Sequence, residues 1–224
     1  MGYILPSVYK SIAAAAKIEL PNIFIETGTF KGGVAHRCLE TQVGLCDFAK
    51  WYTIEIGEDI CKIASQRYKN FEKYNPDLPP HSEIHTDEMD NDFNGVGGYF
   101  NNQLILFHGD STQILPDLLD TISEPCCFWL DAHAGAAKYS GDPNDVPLLK
   151  ELEIIGRHEI KNHIIAIDDA HLFGTNQAGL CDYTNITEDV IATKIKEINK
   201  NYQVAVYAPF GMNMIIAVVN GKSI

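Results

Sequence analysis

Three aspartates and two histidines stand directly behind two apolar runs. Phe128-Trp129-Leu130 leads into Asp131-Ala132-His133, and Ile165-Ala166-Ile167 leads into Asp168-Asp169-Ala170-His171. In an open parallel sheet the carboxyl ends of neighbouring strands face one crevice, so Asp131, Asp168 and Asp169 are expected to converge there. Carboxylates packed together repel one another. A divalent cation relieves that repulsion, and oxygen ligands suit Mg²⁺ or Mn²⁺. His133 is the first candidate for a general base, because imidazole titrates near working pH, and His171 is a second candidate as base or metal ligand. The bland alternative is one helix-capping aspartate with solvated loop acids beside it. His36, His81, His85, His108, His158 and His163 have no comparable placement.

A second constellation is Ile23-Phe24-Ile25-Glu26-Thr27-Gly28-Thr29-Phe30-Lys31-Gly32-Gly33, an apolar run entering a glycine turn. Glycines let backbone N–H groups approach a ligand, and the N-terminus of a following helix favours a carboxylate or phosphate. A dinucleotide fingerprint would place its middle glycine at Phe30, which argues against NAD. Glu55 closes Trp51-Tyr52-Thr53-Ile54-Glu55, about 20 residues past the glycine turn, where an acid can bind ribose hydroxyls. Asp110 and Ser111 follow the run ending Phe107-His108-Gly109, and either could instead cap the next helix.

An acidic strand end followed by GxxxG, Glu26 to Gly32, resembles motif I of the class I methyltransferases. That resemblance implies S-adenosylmethionine (SAM) at Glu26, Gly28, Thr29, Phe30 and Gly32. It also implies the ribose on Glu55 and the adenine side at Gly109-Asp110-Ser111, with Asp131 beside the cofactor. The stretch from about Ile23 to Phe173 is similar, more narrowly, to metal-dependent O-methyltransferases of macrolide and aminocoumarin sugars. In those enzymes one Asp after the fourth strand and an Asp-Asp pair after the fifth hold the metal, here Asp131 and Asp168-Asp169. They commonly read Asp-x-Asp after the fourth strand, whereas this chain has His133 as the third residue.

The elements that must position these residues alternate along the chain. Strands are expected at 23–26, 51–56, 104–107, 126–130 and 164–167, with helices at 31–44, 58–68, 111–122 and 146–158 between them. That alternation predicts βαβ units in a Rossmann-like, doubly wound α/β sheet of five parallel strands. After a helix at 187–199, the strands 203–207 and 214–219 flank a Pro209-Phe210-Gly211 turn. They lie too close for a parallel return and must form an antiparallel hairpin. A helix is expected within 7–19, and the Pro-, Asp- and Gly-rich 75–102 reads as an insertion or flap. The small-residue stretch 134–145 reads as a loop able to close over the strand ends.

With 224 residues the chain can bury one sizeable core, and a single domain over 1–224 is expected. A net charge of −13 works against a polyphosphate partner, so nucleic acid is excluded as the expected substrate. No apolar stretch approaches the roughly 18 residues of a membrane span. The six cysteines show no zinc or CxxC spacing, in keeping with reduced thiols and a cytoplasmic location. The expectation is a SAM-dependent O-methyltransferase using Mg²⁺ or Mn²⁺ on a hydroxyl of a small polar or sugar-bearing acceptor, with homo-oligomerisation open. Two rivals remain: a non-catalytic cofactor-binding domain, and a metal-dependent enzyme of other chemistry built on the Asp/His cluster.

Overall fold

The computed structural model describes residues 6–30, 48–74, 98–100, 104–133, 146–177, 181–208 and 213–220. The expected helix at 31–44, most of the 75–102 stretch, the loop 134–145 and the Pro209 turn lie outside them. Five strands run parallel: β1 (Ile23–Thr27), β2 (Lys50–Glu55), β4 (Leu104–His108), β5 (Cys126–Leu130) and β6 (Ile164–Ile167). These five apolar runs form the centre of the sheet, where burial on both faces removes the need for alternating polar residues. The hairpin of β9 (Tyr202–Tyr207) and β10 (Met214–Val219) joins antiparallel against β6. The stretch 75–102 contributes one strand not expected from the sequence, β3 (Gly98–Phe100), antiparallel to β4. The order is therefore β3-β4-β2-β1-β5-β6-β10-β9. A separate two-stranded sheet pairs β7 (Asn176–Gln177) with β8 (Cys181–Asp182).

Among the described residues, helices cover both faces. α1 (Pro6–Ala16) and α2 (Glu58–Tyr74) pack Tyr9, Ala13, Cys61 and Ala64 onto Phe24, Trp51 and Trp129. On the other face α3 (Ser111–Asp120), α4 (Leu148–Arg157) and α5 (Glu188–Ile198) bury Leu115, Leu152 and Ile195 against Ile25, Ile54 and Phe128. Thr187 caps α5 through Val190 N–H, as a Thr before an acidic first turn should. No described helix is long and apolar enough to cross a membrane. Cys61, Cys126, Cys127 and Cys181 are buried.

At the amino edge of the sheet two buried histidines form a hydrogen-bonded chain. Cys126 N–H donates to His163 Nδ1 (3.0 Å), so the His163 proton sits on Nε2 and meets His158 Nδ1 at 3.0 Å. His158 Nε2–H then donates to Ile122 O (2.9 Å). Every ring nitrogen is satisfied with both rings neutral.

Candidate active site

Backbone registers bring the five parallel strand ends level. Thr27 pairs with Ile54 and Leu130, Leu130 with Ile167, and Glu55 with His108. The ladders extend one step further: Asp131 N–H donates to Thr27 O (3.1 Å), Asp168 N–H to Leu130 O (3.1 Å) and Gly109 N–H to Glu55 O (2.8 Å). Glu26, Glu55, Asp110, Asp131 and Asp168 therefore stand along one edge, as the sequence leads one to expect.

Glu26 is buried on β1, where its Oε2 accepts from Thr53 Oγ1 (2.6 Å), and the Thr53 hydroxyl is itself bonded to Thr29. Burial pushes the Glu26 carboxyl from 4.5 up to about 8, the Thr53 bond opposing and the Glu55 charge adding to the rise. A cation reaching this carboxylate would reverse the cost of ionising it. Glu55 is also raised by burial, while N–H bonds from Gly57 (to Oε1, 2.8 Å) and Phe30 (to Oε2, 2.7 Å) hold it down.

Gly28 adopts φ +80°, and a Cβ there would collide with the backbone carbonyl of Asp131. Its N–H and that of Thr29 donate to Ile54 O (2.9 and 3.2 Å). The glycine thus serves a close approach between β1 and the end of β5, while the turn's N–H groups through Phe30 are spent on β2. Phe30, at φ +48°, is partly exposed. Gly32 lies outside the described residues. Asp110 is the N-cap of α3, its Oδ1 accepting from Thr112 N–H (2.8 Å). Ser111 is buried and donates to Glu151 Oε1 (2.5 Å).

Asp131, His133 and Asp169 each bring one ligand atom to within 4.8 Å of the others. His133 Nε2 lies 3.3 Å from Asp169 Oδ2 and 4.0 Å from Asp131 Oδ1. His171 Nδ1 is 4.0 Å from Asp169 Oδ1, with its ring about half exposed. Asp168 stands beside this trio rather than in it, its buried carboxyl raised to about 6 chiefly by desolvation. Burial first, then Asp168, Asp169 and Glu26, raise Asp131 well above the carboxylate range, and the 23% exposure left to its side chain tempers the rise. Asp169 holds a left-handed φ of +57°, a strained backbone of the kind that collects at functional sites. Asp131, Asp168, Asp169, Glu151 and Tyr183 line a cavity of about 10 Å³.

Solved structures share this fold. An O-methyltransferase from Bacillus cereus in complex with SAH superposes with a TM-score of 0.54 at 14% identity, covering 96% of this chain and 82% of that one. The O-methyltransferase TomG from Streptomyces achromogenes, involved in tomaymycin synthesis and bound to SAM, gives 0.53 at 12% identity over 96% and 79%. The SAH-bound methyltransferase PaMTH1 of Podospora anserina gives 0.52 at 13% over 96% and 77%. This chain has the class I methyltransferase fold. No family model and no curated protein matches its sequence.

Among the described residues, seven of the eight strands of the main sheet match the methyltransferase sheet, and β3 is an addition at its β4 edge. Two residues at the crevice of this fold escaped the sequence reading. Thr53 faces Glu26 because it pairs with it across β1 and β2. Glu151 reads as part of a polar helix face but is wholly buried. Its spacing in Leu148-x-x-Glu151-Leu152-x-x-Ile155, the i, i+3, i+4, i+7 stripe of the core side, was the available signal.

Proposed function

We propose that this protein is a SAM-dependent O-methyltransferase whose acceptor is a hydroxyl of a small polar molecule, with a sugar-bearing metabolite as the first choice. The observation that carries this reading is the alignment of two buried glutamates with an Asp-His-Asp trio along one strand-end crevice. Glu26 receives the ammonium of the methyl donor, and its ionisation, disfavoured by burial, becomes favourable beside that cation. Glu55, fixed by two backbone N–H groups, keeps lone pairs for the ribose hydroxyls. Gly109-Asp110-Ser111 borders the base.

Two carboxylates and an imidazole within 4.8 Å fit a divalent cation, and the nitrogen donor favours Mn²⁺ over Mg²⁺. Asp131, His133 and Asp169 would hold it, with Asp168 as a neighbouring acid. A cation there supplies Lewis acidity toward the acceptor oxygen. His133 is thereby assigned to holding the metal, because its Nε2 faces the carboxylates, and the more exposed His171 is left to take the proton. Asp169, 4.0 Å from His171 Nδ1, favours the imidazolium that results. The acceptor oxygen forms its bond to the methyl carbon as the carbon–sulfur bond breaks, releasing S-adenosylhomocysteine and a methyl ether.

The test is transfer of a labelled methyl group from SAM to a panel of sugars, catechols and polyols, with EDTA and with Mn²⁺ restored. Transfer that stops with EDTA, returns with Mn²⁺ and is lost in Asp131→Asn and Asp169→Asn is the expected result. Transfer indifferent to chelator and to both substitutions rejects the metal.

A further inference from the structure

We infer that Glu151 is a positioning residue that ties the two flanks of the crevice together, holding the donor side at a fixed distance from the acid trio. The inference rests on the methyltransferase reading for what each flank binds, but its geometry stands on the strand order. The buried acids among the described residues are Glu26, Glu55, Glu151 and Asp168. Three of them follow from strand ends. Glu151 comes instead from the first turn of α4, where it is fully enclosed.

A carboxylate withdrawn from water is costly unless it is hydrogen-bonded, and Glu151 accepts from Ser111 Oγ at 2.5 Å. Ser111 opens α3 behind β4, on the base-binding flank. The same Glu151 side chain lines the 10 Å³ cavity with Asp131, Asp168 and Asp169, which follow β5 and β6. In the order β4-β2-β1-β5-β6 these flanks are separated by two strands. Glu151 therefore bonds to one flank and lines a cavity shared with the other, at the packing contact of α3 with α4. Removing it leaves the Ser111 hydroxyl buried without this acceptor and enlarges the cavity that Asp131 lines. α3 and the loop before it can then shift relative to the trio, while the sheet that carries Glu26 and Glu55 stays put. Because the part played by Glu151 is to accept a hydrogen bond, an amide of the same shape substitutes for it.

The test is calorimetric titration of SAM into the wild type, Glu151→Gln, Glu151→Ala, Ser111→Ala and the double alanine variant, with thermal melts on each. Glu151→Ala and Ser111→Ala are each expected to weaken SAM by about tenfold, the double variant no more than either alone, since the two residues act as one unit. Glu151→Gln is expected to bind within about twofold of wild type. A lowered melting temperature with unchanged SAM affinity in both alanine variants overturns the inference and leaves a purely structural bond. Additive losses, or Glu151→Gln as weak as Glu151→Ala, overturn it as well. Should Glu151→Ala fail to fold, Ser111→Ala and Glu151→Gln carry the comparison. A wild type that binds no SAM rejects the methyltransferase reading itself, and the inference with it; binding by the wild type with equal binding by the variants rejects the inference alone.

Discussion

Replacing Glu26 by Gln separates the cost of a buried acid from its use. Burial lifts the Glu26 carboxyl from 4.5 to about 8. At about 1.36 kcal/mol per unit, the unequal ionisation of the folded and unfolded states lowers stability, relative to pH below 4.5, by about 3 kcal/mol at pH 7 and by a limit of about 5 kcal/mol well above pH 8. The sign follows from proton counts: between pH 4.5 and 8 the folded state keeps a proton that the unfolded state has lost. Stability from this group is complete below pH 4.5 and is gone once pH passes about 8. Glutamine keeps an acceptor for Thr53 and cannot ionise, so the variant should gain on wild type progressively across that window. Denaturant unfolding at pH 5, 7 and 8.5 measures the difference; taking it between two otherwise identical chains cancels the titration of Asp168, while the part of the Asp131 rise that comes from the Glu26 charge enters the difference. The gain should be matched by a loss in binding. A cationic ligand beside Glu26 drives the proton off, so SAM titrated at pH 7 in buffers of different ionisation enthalpy should show proton release by wild type and none by Glu26→Gln. Parallel stability profiles together with buffer-independent binding heats would refute the placement of a ligand cation at Glu26.

Three further outcomes follow from the same geometry. Glu55→Ala should weaken SAM by about 1 to 3 kcal/mol, since a charged acceptor is removed and Phe30 N–H and Gly57 N–H lose their partner; unchanged affinity would take Glu55 out of the site. Gly28→Val should destabilise the fold and displace Asp131 together, because a β-branched residue is forced to φ +80° against the Asp131 carbonyl; a variant with normal melting and normal SAM affinity would contradict the turn. His163, held neutral between Cys126 N–H and His158 and lowered by burial from 6.5 to about 3, stabilises fully above pH 6.5 and loses that contribution as pH falls toward 3. His163→Asn should flatten this acid limb, and melts between pH 3 and 7 that overlay the wild type would reject the neutral pair.

The strands β5, β6 and β10 coincide with their sequence assignments to the residue, because a strand buried on both faces must be a short apolar run bounded by polar residues. The same logic located the acids, since whatever follows such a run stands at the crevice. What sequence could not supply was lateral contact. β3 is three residues at an edge, secured by its partner β4 rather than by any pattern of its own. That His133 brings its ring nitrogen to Asp131 and Asp169 is a contact between neighbouring strand ends, which a local reading of Asp-Asp does not reveal. Asp110 was open between ligand and cap, and the cap is what its side chain makes. Glu151 was legible in principle, from its place in the apolar stripe of α4, yet its charge argues for the solvent face until Ser111 is seen opposite it.

Direct titration of SAM into the wild-type protein tests the central claim. The account predicts saturable one-to-one binding, competed by S-adenosylhomocysteine, weakened by Glu26→Gln and Glu55→Ala, and nearly unchanged in Asp169→Asn, whose carboxylate belongs to the metal side. Absence of binding at millimolar SAM, or binding indifferent to both glutamate substitutions, would contradict it.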